Sequence, residues 1–499
     1  MTGSCVLLTS ARTAVILWMT AGCATTPLIS RNPSREAYGA YLRGLMYERS
    51  AKLSDALDAY HLALEHDHRS PHLHVRLGAT HVKLGEPDRA MQQFEKALAL
   101  DPDNPDALRW VAMLRTSQGR LEDAVTAYER YLQVKPEDEF VLSTLADLYI
   151  LQGQLPQAVE RYQQLIREFG PSTQLYFNLG VLYGRMNRFD DAIQELSRAF
   201  ELSPDAVEIS LALGITYEMS ERTEMAAAHY EAAIRLDPLN PQLRYHAARA
   251  WMGSEQFARA EANYQAVLDV NPRDLEATLG LVRVRLAQRQ FDSAARFLEE
   301  QLAAREHRPE LYVALGIVYR EAKQDLEAMR AFERAIALKE RYTQAHFYLA
   351  AQLDSLGRKD LARASLRRTL ELEPDYPDAL NYLGYLDAEA GVNLIEAKAL
   401  IERALAQEPD NGAYIDSLGW VYYQMGQFDE AQAQLERAAE LIDTDPVVFD
   451  HLGDVYFQRQ DLERARRNWK RALELEADQP EIVEKLQQIT PREVTVSQP

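Results

Sequence analysis

Small and bulky apolar residues recur along this chain at a fixed interval. Alanines run from Ala56, Ala90 and Ala124 to Ala431 and Ala465, thirteen in all, 34 residues apart, with one step of 35 between Ala362 and Ala397. Four residues after each comes a bulky apolar side chain, from Tyr60, Phe94 and Tyr128 to Leu435 and Trp469. Twelve residues before each (thirteen at the longer step) comes a small one, from Gly44 and Gly78 to Gly419 and Gly453, with Val282 the exception. Residues four apart share a helical face, so the alanine and the bulky residue predict one helix, and the earlier small residue predicts a second. Two antiparallel helices approach closely where both are small, and the bulky side chain fills the space beside that contact. Prolines punctuate the pattern. Pro102, Pro136 and Pro204 close second helices, and Pro71, Pro105 and Pro241 open first helices, where the missing N–H costs nothing.

No single helix pair can bury its own apolar face, so neighbours must stack into a continuous core. The sequence therefore predicts an all-α solenoid of thirteen helix-turn-helix repeats over 37–479. A capping helix follows at Pro480–Ile489, and 490–499 reads as a frayed tail. The extra residue falls in a lengthened turn at Gly391-Val392-Asn393. The repeat with Val282, which also carries Glu306 where others have proline, is expected to be the weakest and to act as a hinge.

Composition narrows the function. A hydrophobic content of 47% excludes a disordered chain. With 76 acidic against 55 basic residues the net charge is −21. That opposes nucleic acid and anionic lipid surfaces, both of which need clustered positive charge, and suits basic partners. Cys5 and Cys23 are the only cysteines, so no disulfide framework or cysteine metal site follows Cys23. There is no Gly-rich phosphate loop, HExxH or GxSxG. Neither enzymatic activity nor a cofactor or metal is expected. Six of the eleven histidines (His61, His66, His68, His72, His74 and His81) fall within 21 residues. A metal site or a pH-sensitive patch are readings of that cluster. Against them, His74 and His81 stand seven apart at core-facing positions, and no cysteine or carboxylate triad completes a site.

The first 23 residues are unlike the rest. Thr13 to Gly22 form an apolar stretch after Arg12, too short to span a bilayer and of the length of a signal-peptide core. Ala21-Gly22 directly before Cys23 resembles a bacterial lipobox, although Thr20 stands where leucine is preferred. That resemblance implies a lipoprotein-type signal peptide over 1–22, a lipidated Cys23 and a tether over 23–36. Ala24 after the cysteine implies the outer membrane.

The 34-residue pattern resembles the tetratricopeptide repeat (TPR) and covers Ala37 to Gln479. The resemblance implies a right-handed superhelix whose first helices line a concave protein-binding face, with the second, fifth, ninth and twelfth residues of each repeat exposed on it. Those positions include Phe177, Tyr245, Phe347, Tyr385, Trp420, Tyr423 and Phe457, with Arg249, Arg283 and Arg320. Aromatic and arginine side chains dominate binding hot spots, so a groove for peptides is expected. The alternative is that some of these rings pack against the next helix and that the arginines pair with Glu218, Glu276 and Glu310. The Lys–Asn pair of co-chaperone TPR domains and the asparagine ladder of the O-linked N-acetylglucosamine transferase repeats are both missing.

The blocks NYLGY, EAKALIERAL and GAYIDSLGWVYYQMG, between Asp378 and Leu441, resemble the C-terminal repeats of bacterial outer-membrane TPR lipoproteins that act as adaptors for periplasmic proteases. That resemblance implies a scaffold lipid-anchored in the cell envelope and facing the periplasm, with protein partners such as a periplasmic protease. Two other readings stand beside it. One is a scaffold of an envelope export machine for polysaccharide, a pilus or an exosortase-type system. The other is a cytoplasmic TPR regulator, if Cys23 is not lipidated.

Overall fold

A computed structural model describes residues 34–303 and 308–489. The signal peptide, Cys23, most of the tether, Glu306 and the tail from 490 lie outside the described residues. Among the described residues there are helices and no strands, from α1 (Arg35–Arg49) to α27 (Pro480–Ile489). The helices alternate as first and second members of thirteen pairs, followed by α27, as the 34-residue period predicts. α1 starts at Arg35, within the span read as tether, because the Ser34 hydroxyl caps it by accepting from the Ala37 amide at 3.0 Å. The chain packs as two compact units, up to Ala250 and from Trp251 onward.

Every one of the thirteen periodic alanines is fully buried, and the bulky residues four positions on are at most 3% exposed. An alanine methyl against the small site of the first helix lets the two backbones meet, and the bulky side chain seals the gap. Val282 does not open the core. It is 2% exposed and packs with Leu298, a narrower residue than the tyrosines elsewhere at that site.

The tyrosines at the bulky site sit in two ways. Where the repeat's own small site is glycine, the ring lies on it. A Cβ added at Gly214 would stand 2.5 Å from Cε1 of Tyr230, whose hydroxyl reaches back to Glu218 at 2.5 Å. Where that site is alanine the settings differ: Tyr128, after Ala112, bonds Thr116 of its own first helix, whereas two others also reach the following repeat. Tyr162, after Ala146, accepts from Asn178 Nδ2 at 3.2 Å. Tyr264, after Ala248, lies over Gly280, where any Cβ would overlap the ring.

Neighbouring repeats are also tied by polar clamps. Arg403, Arg437 and Arg471, on second helices, donate to the carbonyls of Pro374, Pro409 and Asp443 in the preceding inter-repeat turns, at 2.6, 2.8 and 3.4 Å. Within each pair, a left-handed residue turns the chain. Several of these are not glycine, including Asn187, Glu221, Arg289 and Lys323, at φ between 56° and 62°. The lengthened turn has two left-handed residues, Gly391 (φ 68°) and Asn393 (φ 49°). Beside it, buried Asp387 accepts from Arg363 Nε at 2.8 Å.

Two helix-interior glycines give a matched test. Alanine gains about 0.5–1 kcal/mol over glycine in a helix, and overpacking a tight core costs about 1–3 kcal/mol. Gly184→Ala, with nothing within 4 Å of the added Cβ, should raise stability to urea. Gly214→Ala should lower it. Equal shifts for the two variants would contradict the packing described.

Candidate functional site

The last first helices, Pro377–Glu389, Gly412–Gln424 and Pro446–Gln458, lie side by side, and α27 closes their row. Each turns its small residue (Gly384, Gly419, Gly453) toward its own second helix. The next residue is rotated by about 100° and leaves that contact. Tyr385, Trp420 and Asp454 occupy this position, and Tyr423 and Phe457, three residues further on, share its face.

The side chains on this face touch across repeats. Trp420 stacks on Tyr423 with ring centroids 4.7 Å apart, and on His451 of the next repeat at 4.1 Å. Tyr385 lies 6.4 Å from the same imidazole. His451 Nδ1 donates to both oxygens of Asp416, at 2.9 and 3.1 Å. Lys485 of α27 donates to Asp450 at 2.7 Å and to Asp454 at 2.8 Å. Trp469 Nε1 donates to Asp454 at 3.2 Å.

Burial and charge set the protonation of this cluster. Burial opposes the charge on His451, but Asp416, assisted by Asp450 and Asp454, outweighs it and holds the imidazole pKa above its usual value. Burial and four carboxylates (Glu389, Asp416, Asp354 and Asp450) push the Tyr385 phenol well up, so it remains a neutral donor. Burial, then Asp450, raises Asp454, while Lys485 opposes them. On this face two buried polar atoms, Trp420 Nε1 and Asn381 Oδ1, have no hydrogen-bond partner among the described residues. One is a donor and the other an acceptor, on adjacent first helices. Stacked rings, buried carboxylates and unpaired amide-type groups suit non-covalent recognition of a polypeptide.

The other expected residues are dispersed. Phe347 is half-buried in a second ring cluster with Tyr348, Tyr376 and Tyr382, at 5.7, 5.3 and 6.4 Å. Phe457 packs 5.7 Å from Trp469. Arg320 lies 5.7 Å over the Tyr348 ring and 3.4 Å from Glu321. Arg283 is exposed. In the first unit, Phe177 is half-buried against the cluster of Leu196, Ile209 and Leu213, and exposed Arg249 bonds His246 at 3.0 Å. Tyr245 departs from the expectation of an exposed ring. It is 4% exposed, because the fifth position of that helix turns into the interior. The histidines near the N-terminus go to separate partners: His72 to the Tyr41 hydroxyl at 3.0 Å, His74 to Gln93 and His81 to Glu86, both at 2.8 Å. Burial, with Arg76, lowers His72 to about 4.

Sequence reading missed His451, Asp416 and Lys485. His451 is the sixth residue of its repeat, outside the four positions taken as exposed. Its partner Asp416 is one repeat away, so the period itself was the signal: a fifth-position carboxylate and the next repeat's sixth-position cation meet.

Family models of the tetratricopeptide repeat match residues 75–139, 115–179, 177–241, 252–316, 309–342 and 393–450, together more than half of the chain. The chain belongs to the tetratricopeptide repeat family, whose arrays are scaffolds suited to protein–protein interaction. A TPR repeat-containing protein of Pseudomonas aeruginosa, PA4667, is 42% identical over 72 residues, covering 14% of this chain and 12% of that protein. The matched stretch is thus a small part of the relative's length. Similar solved structures include the anaphase-promoting complex hetero-tetramer Cut9–Hcn1, at 15% identity and TM-score 0.44, covering 92% of this chain and 96% of that one. Naa15/Naa10 bound to HypK gives 14% and 0.44 over 91% and 96%. Yeast Tom70 gives 16% and 0.39 over 92% and 94%.

The His451–Asp416 pair predicts a pH dependence. A raised folded pKa means that the charged pair's contribution is complete below the unfolded value, near 6.5, and is lost as pH rises through the higher folded value. The stability of the wild type relative to His451→Gln should therefore fall as pH is raised above 6.5. A difference in urea midpoint that stays flat or grows with pH would contradict this assignment.

Proposed function

We propose that this chain is a membrane-anchored adaptor of the cell envelope, which captures partner proteins on the first-helix face of its last three repeats. The observation that carries the reading is the run of partly exposed rings Tyr385, Trp420 and Tyr423, braced by His451 across consecutive repeats. Rings locked by stacking lose little freedom on binding, which is why aromatic side chains concentrate binding energy. The resemblance of Asp378–Leu441 to bacterial TPR lipoproteins supports the envelope setting.

Anchoring rests on the lipobox resemblance at Cys23. Each buried acyl CH₂ contributes about 0.8 kcal/mol, so several chains on one cysteine hold the protein at the membrane. Tethering raises the effective concentration of any captured partner there without a new contact. The adaptor would face the periplasm from the outer membrane and present a protease or another envelope component to its client.

Two measurements test the proposal. Radiolabelled palmitate should enter the wild type and not Cys23→Ser, with the wild type in the outer-membrane fraction. An unlabelled protein in the membrane-free fraction would remove the anchor. Affinity capture from detergent-solubilised envelope should recover a partner whose yield falls with Trp420→Ala/Tyr423→Ala, a loss of more than about 1 kcal/mol. Unchanged capture, with helicity intact by circular dichroism, would remove this face as the site.

A further inference from the structure

We infer that the partner segment held on this face is cationic: an extended stretch carrying lysine or arginine side chains, seated beside Tyr385 and Tyr382. The inference rests on the peptide-binding reading of the face and adds the chemistry of its occupant.

Carboxylates crowd the Tyr385 hydroxyl. Asp354, Glu389, Asp416 and Asp450 all lie close enough to act on it, and Asp454 stands one turn beyond Asp450 on the same helix. The cations among the described residues do not balance them. Lys485 is shared between Asp450 and Asp454. His451 serves Asp416, and Lys359 pairs with Glu389 at 2.6 Å. Asp354 is met by a neutral phenol, the Tyr382 hydroxyl at 2.7 Å. On the neighbouring side, Asp378 is likewise met by the Tyr414 hydroxyl at 2.6 Å. A phenol donates a hydrogen bond but no charge, so it neutralises neither carboxylate; the charge of Arg320 reaches the Tyr382 phenol, but its guanidinium lies over the Tyr348 ring and beside Glu321.

This negative charge sits among rings. Tyr382 and Tyr385 stand on one helix beside Phe347, Tyr348 and Tyr376 on one side and Trp420 and His451 on the other. A guanidinium or ammonium placed there gains from the carboxylates and from the ring faces together. Asn381 Oδ1 on that helix and Trp420 Nε1 on the next are buried without a hydrogen-bond partner among the described residues, beneath the same rings. An acidic segment or a terminal carboxylate would meet like charge instead, so charge complementarity selects the basic occupant.

Selection of random decapeptides displayed on phage, against the full chain, tests the inference. The enriched peptides should carry lysine or arginine, and their affinity should fall with added salt. Because the whole chain is acidic, basic enrichment alone is not sufficient. It must also fall at least tenfold in affinity for Asp354→Asn/Glu389→Gln, two changes that preserve shape and, at Asp354, the bond from Tyr382. No enrichment, enrichment of neutral or acidic peptides, or equal affinity for the neutralised variant would overturn the cationic assignment. Peptides sensitive to Trp420→Ala/Tyr423→Ala but indifferent to Asp354→Asn/Glu389→Gln would leave the face standing and remove only its charge preference. Peptides indifferent to both double variants would remove the face as well.

Discussion

The structure depends on one close approach, repeated along the array: a fully buried alanine of the second helix set against the residue of the first that is small in every repeat but that of Val282. Removing side-chain volume from this crossing lets the two backbones meet and leaves a gap that one large ring or branched chain must fill. Stacked pairs then bury what a lone pair leaves exposed, and the core runs from repeat to repeat. The remaining features follow as consequences: the tyrosines that reach backward or forward, the arginine clamps onto preceding turns and the left-handed residue joining each pair.

That crossing also decides what is available for binding. A helix that commits its small residue inward presents the following residue outward, and in the last repeats this residue is Tyr385, Trp420 or Asp454. The proposed binding face is therefore set by the packing contact, about 100° around the helix from it. Its rigidity comes from neighbouring repeats, because Trp420 is braced by a histidine of the next one. Changing the histidine should alter the face without touching any ring that a partner meets.

The periodic part of this was legible in the residues. Alanine, glycine and the bulky site recur so regularly that helix pairing, the lengthened turn near Gly391 and the positions of Tyr385 and Trp420 could be read directly. Val282 was read as marking the weakest repeat and a hinge; its side chain is buried, and Leu298 packs against it. Tyr245 was read as exposed, and whether a fifth-position ring turns outward or inward depends on its neighbours' volumes rather than on its place in the period. His451 and Asp416 were overlooked because a charge pair joining two repeats has no local signature. The carboxylates around Tyr385 come from four first helices and have no meaning until those helices are laid side by side.

The two settings of the bulky tyrosine bear on how such an array can lengthen or shorten. Loss of one whole period keeps the helix pattern in phase wherever it occurs, but it is not equally harmless everywhere. Excising 231–264 leaves Tyr230 on its own Gly214. Excising 265–298 would place Ala314 where Gly280 now receives the ring of Tyr264, and a methyl group has no room there. The Tyr264–Gly280 contact thus makes two neighbouring repeats dependent on each other, whereas Tyr230 and Gly214 keep their contact within one.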